Sequence, residues 1–123
     1  MFAADTDEEA HRMTWPMRAV FAYAGRSGRI PDIVSVDEAS RMLTTAQKDE
    51  PSRIVGGRWP RQVAGSPETV RDQLLQMIEQ TGATEVMLQS ISPDPEARRH
   101  SHALVAEALG IKPDVRSATT SAA

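Results

Sequence analysis

Two carboxylate–histidine pairs, Asp7 with His11 and Glu96 with His100, stand four residues apart in stretches that read as helices. At that spacing the two side chains meet on one helix face, so each carboxylate could orient its imidazole for acid/base work. Exposed helix pairs have the same spacing and contribute only about 0.3 kcal/mol, and that plainer reading is preferred here. His100 and His102 cannot grip one metal ion together, because helical side chains two residues apart diverge by about 200°. The acids that begin at Asp5 fail as a calcium loop: Ala10 stands where the sharp turn needs Gly, and Pro16 where the bidentate Glu belongs. No catalytic residue and no metal ligand is assigned.

A free helix N-terminus attracts anions through its unpaired N–H groups and its dipole. The best-formed one starts at Ser66, which makes Gly65 and Ser66 the cofactor-edge candidates beside their simpler reading as turn and cap. "RIVGGRW", from Arg53, copies the cleaved N-terminus of trypsin-like serine proteases. That chemistry needs a His-Asp-Ser set spread over two β-barrels, for which 123 residues are too few, so the glycines read as loop punctuation.

The elements around these residues can be read from side-chain chemistry. Ser66 offers an N-cap oxygen, Pro67 suits the first helical position, and Glu68 places negative charge at the positive end of the dipole. Val70, Leu74, Met77, Ile78 and Thr81 recur on one face, and Gly82 suits a left-handed cap, so the spacing predicts a helix over 67–81. The continuous apolar run Val86, Met87, Leu88 predicts a strand over 85–89, covered on both faces as in a parallel sheet. A second helix follows, capped by Ser92 or Asp94, with Ala97, Ser101, Leu104, Val105 and Ala108 on one stripe and Gly110 at its end. Near the N-terminus, Asp5 or Thr6 caps a helix running to about Ala24, its first turn rich in acids, with a break expected near Thr14 because Pro16 removes a donor. "MFAA" and residues 30–36 are weaker strand candidates.

The chain divides into 1–42, a helix and the start of an insertion; 43–64, a loop or insertion with Pro51, Gly56, Gly57 and Pro60; 65–111, a helix–strand–helix unit; and 112–123, a tail expected to fray. The length suits one domain or part of one, since a complete eight-stranded barrel takes about 250 residues. Seventeen acids against fourteen basic residues, for a net charge of −3, argue against a general nucleic-acid surface. The absence of Cys excludes disulfides and thiolate metal sites, and no apolar stretch reaches membrane-span length, so a cytoplasmic location is expected.

Taken in order, "AADTDEEAHRM", "GRSGRIPDIVSVDEA" and "VAGSPETVRDQLLQMIEQTGATEVMLQS" resemble the C-terminal part of the bacterial luciferase-like flavin-dependent monooxygenase family, over roughly residues 3–111. The resemblance implies an α/β fold, the C-terminal fragment of a (β/α)8 barrel, mostly helical with one or two parallel strands. It implies an oxidoreductase that uses reduced FMN or a deazaflavin, often with O₂, on a small organic substrate. The earlier six strands, which supply most of the family's flavin pocket and catalysis, have no counterpart here. The chain is therefore expected to be inactive alone, to bind no flavin tightly, and to self-associate through an unpaired strand edge. The alternative is an independent small α/β binding or interaction module without catalysis.

Overall fold

The computed structural model describes residues 1–112. The "MFAA" stub forms β1 (Phe2–Ala3), which pairs in parallel with β2 (Ala64–Gly65), Phe2 opposite Ala64 and Ala3 opposite Gly65. The Phe2 N–H donates to the Val63 carbonyl at 2.9 Å and the Ala4 N–H to that of Gly65 at 3.3 Å. Parallel neighbours need a long crossover. Here it holds four helices: α1 (Asp7–Arg12), α2 (Trp15–Ser27), α3 (Val36–Met42) and α4 (Thr45–Asp49).

Thr6 caps α1 by accepting from the Glu9 N–H, and the chain breaks at Met13 and Thr14, next to Pro16, as the missing donor requires. Gly28 closes α2 at φ 70°, in the left-handed region that favours glycine. The weak strand expected over 30–36 is absent. Residues 30–35 have no ladder partner, and Ser35 instead caps α3 by accepting from the Glu38 N–H. The stretch expected as a loop over 43–64 is interrupted by α4, whose Thr44–Gln47 capping box satisfies two end donors reciprocally, and by β2.

α5 (Pro67–Thr81) begins at the Ser66 cap and ends at Gly82, as its sequence signals predict; of the two expected caps of α6 (Pro95–Ala108) it is Asp94 that serves, with Pro95 at the first position, while the Ser92 hydroxyl accepts from the Asp94 N–H. The main core joins Ala3, Val63, Val70, Leu74 and Val105, so α5 and α6 pack against the two-stranded sheet. The Ala3 N–H donates at 2.8 Å to the buried Ser101 hydroxyl, tying β1 to α6. The fold is α/β, mostly helical, with two parallel strands. No helix among the described residues is long and apolar enough to cross a membrane. The tail expected to fray lies, beyond Lys112, outside the described residues.

The strand expected over 85–89 does not form; these residues are coil. The end of the segment meets Met1, just before β1, where the Met1 amine donates to the Gln89 carbonyl at 2.8 Å and the neighbouring Ser90 hydroxyl to that of Met1 at 2.6 Å. An apolar run specifies a strand only if ladder partners exist for it, and this one has none among the described residues. Leu88 packs against the core, but Met87 is 92% exposed. Sequence logic makes a charge at Met87 severe; its exposure reverses that. Met87→Asp should change stability in a urea melt by less than about 0.5 kcal/mol, and a loss several times larger would show Met87 to be covered.

Candidate functional site

α1, the segment after α4 and the start of α5 enclose a cleft of about 530 Å³, lined among others by Asp7, His11, Trp15, Ser52, Arg53 and Thr69. Two of these side chains are placed by local caps. Asp7 lies in the first turn of α1 because Thr6 caps it, and Thr69 lies in the first turn of α5 because Ser66 does.

The Asp7 carboxylate accepts a hydrogen bond from the Ser66 N–H at 2.7 Å. That bond, followed by one from the Thr69 hydroxyl, holds the Asp7 carboxyl below its ordinary range, with a smaller contribution from Arg53; partial desolvation opposes them. The chain's own carboxylate thus occupies the anion position at the start of α5. Gly65 lies directly beneath it. A Cβ there would come within 2.6 Å of Thr69 Cγ2 and 2.9 Å of Asp7 Oδ1, so the glycine is required by close approach, not by its backbone angles. Gly65 and Ser66 are therefore brought together with Asp7 and Thr69, and the Ser66 N–H is already engaged.

Because the Asp7 carboxyl is depressed in the folded state, its contribution to stability is fully present above about pH 4 and is lost as the pH falls through its lowered value. Asp7→Asn keeps an acceptor but removes the charge at the helix start. The variant should be about 0.5–1 kcal/mol less stable at pH 7 and converge on the parent below pH 4. Urea melts across this range check it; a gap that stays constant with pH would contradict the assignment.

The expected Asp7–His11 pair does not form. His11 Nε2 meets the Lys48 carbonyl, which can only accept, so in the neutral imidazole Nε2 carries the proton and Nδ1 accepts from the Ser52 hydroxyl. Arg18 donates to the same hydroxyl at 3.1 Å, to Thr14 Oγ1 at 2.8 Å and to the Gln47 carbonyl at 2.9 Å. Burial lowers the Arg18 pKa, and Glu50, 3.9 Å away, works in the opposite direction. A serine hydroxyl bonded to an imidazole is the pairing that nucleophilic catalysis uses. Here, however, Ser52 is 6% exposed and both donates and accepts internally, so the cluster acts as a strut from α1 and α2 to the segment after α4. Sequence reasoning missed Ser52, because no local signal links residues 41 positions apart.

The second expected pair is also separated. His100 meets Asp5 at 3.0 Å, while Glu96 pairs with Arg99 at 2.9 Å. No group of three or more His, Asp or Glu residues could hold a metal ion among the described residues.

This geometry defines a partial α/β unit: one parallel strand pair, its helical crossover and two covering helices. No protein-family model and no curated protein matches the chain. Among solved structures it is similar to the crystal structure of apo-MsnO8, with 34% identity and a TM-score of 0.71, over 91% of this chain and 33% of that one. The chain spans about a third of the length of the structure it matches.

Proposed function

We propose that this chain is the C-terminal segment of a luciferase-like flavin-dependent monooxygenase, a cytoplasmic oxidoreductase of (β/α)8 form acting on a small organic substrate, and that it is inactive alone. The observation that supports the segment reading is the match to one third of a longer solved chain, at 34% identity over almost all of this one; the flavin-dependent class rests on the resemblance of the sequence phrases. The ordered phrases from "AADTDEEAHRM" to "TEVMLQS" support it, as does the apolar segment 85–89, whose end meets Met1 just before β1.

The residues at the start of α5 do not fit the phosphate of FMN, since an incoming anion would meet the Asp7 carboxylate at the Ser66 N–H. No chemical step is assigned to Gly65 or Ser66. In this reading the flavin and its reaction belong to the portion of the enzyme that lies outside this chain.

Mixing the purified chain with FMN and passing it through a desalting column tests the reading. The chain alone should emerge colourless and should oxidise neither NADH nor an aldehyde. Stoichiometric flavin on the isolated chain would overturn the fragment reading in favour of an independent module.

A further inference from the structure

The His11 and Ser52 side chains beside the first cleft are engaged with the chain's own groups, but a second concavity, on the turn that follows α4, is differently built. Residues 52–64 are pinned along their length. The Ala64 N–H donates to the Ser52 carbonyl at 2.9 Å, and the Ile54 N–H to Gln73 Oε1 of α5 at 2.6 Å. Val55 and Arg58 exchange two backbone bonds, at 3.2 and 3.0 Å, across Gly56 and Gly57, whose φ values of 56° and 78° suit the two-residue turn that continues strand twist. Trp59 Nε1 donates to Gln80 Oε1 of α5 at 2.9 Å. The turn is therefore held on α5 by two glutamines.

What this scaffold displays is unusual for an acidic chain. Arg53, Arg58 and Arg61 line a concavity of about 230 Å³ together with Trp59, which remains 47% exposed. The one acid in its lining, Glu50, faces Arg18. None of the three arginines forms an ion pair among the described residues; Arg61 lies over the Phe21 ring and Arg53 feels Asp7 at longer range. Three like charges gathered on a fixed turn repel one another, and an anion placed among them relieves that repulsion. With its N–H committed to Gln80, Trp59 offers its ring surface as the remaining contact, and exposed indole beside guanidinium suits a stacked planar group.

We propose that this turn is a binding site for a planar aromatic phosphate monoester of the nucleoside monophosphate class, the ring stacked on Trp59 and the phosphate held by Arg53 and Arg58. Guanidinium forks match phosphate oxygens in pairs, and the pinned turn removes most of the ordering cost. The site is shallow, so binding is saturable at millimolar concentration and weakens with salt. It shares Arg53 with the cleft at the start of α5, and it does not depend on the reading of the chain as a barrel segment.

The test follows the two indole N–H signals of the full chain by NMR, assigned with Trp59→Phe, during titration with AMP, adenosine or inorganic phosphate. AMP should move the Trp59 signal saturably and leave the Trp15 signal in place. Adenosine and phosphate should each need at least tenfold higher concentration. Arg58→Glu, at an exposed position that leaves the fold intact, should weaken AMP at least tenfold, and Arg53→Glu should act in the same direction. Absence of a saturable shift, AMP binding no tighter than phosphate, or unchanged AMP binding by Arg58→Glu would each overturn the proposal.

Discussion

Phe2→Ala should destabilise the chain by about 3–5 kcal/mol, the range for removing a buried aromatic from a core that cannot close over the gap. Phe2 is 1% exposed and packs among Ala4, Ala10, Ala64 and the partly buried Met13. Three of those four neighbours are already as small as an apolar side chain gets, so none can reach in to refill the space. Domain stabilities are about 5–15 kcal/mol in total, and the variant should therefore lose a large fraction of its stability and unfold at a much lower urea concentration. A urea melt that places the loss under about 1 kcal/mol would mean that β1 is not packed as described.

Gly65→Ala should cost about 3 kcal/mol for the opposite reason, too many atoms in place of too few. The added methyl would meet Thr69 Cβ at 2.7 Å, an atom fixed to the α5 backbone, and would push on the Asp7 carboxylate that holds the Ser66 N–H. β2 and α5 would have to separate. Combining it with Thr69→Gly, which removes both clashing Thr69 carbons, should recover part of the loss in thermal or urea melts beyond the cost of the helix glycine itself. Additive losses in the double variant would place the strain elsewhere.

The sequence was most informative where chemistry is local. Ser66, Pro67 and Gly82 mark both ends of α5, and Asp94 with Pro95 marks the start of α6, because a cap acts within four residues of itself. The same kind of signal was present and unread at Ser35 and Glu38, which open α3 with serine and glutamate at capping-box spacing, and at Thr44 and Gln47, which open α4. Sheet pairing was less legible. Whether Val86, Met87 and Leu88 form a strand depends on which segments lie beside them, which local sequence does not encode, and the pairing of Ala64 with Phe2 joins residues far apart in the chain. In the cleft, Asp7 and His11 were correctly placed on one helix but wrongly paired with each other. Their partners, Ser66 and Ser52, come from other elements, and only tertiary packing selects them.

The chain leaves the sheet after Ala3 and returns at Ala64, and the two points are bound side by side by the strand pair, with Asp7 clasping Ser66 just beyond it. Such a clasp fixes the doorway of the excursion independently of what lies inside it. Loop-closure cost rises only logarithmically with length, by about 0.6 kcal/mol per doubling. Changes of length between Gly28 and Asp49 therefore cost the doorway little, provided that Ala39 and Leu43 still cover Ala19 and the Gln47 and Lys48 carbonyls still meet Arg18 and His11, so new surface chemistry can be added along this stretch without rebuilding the sheet.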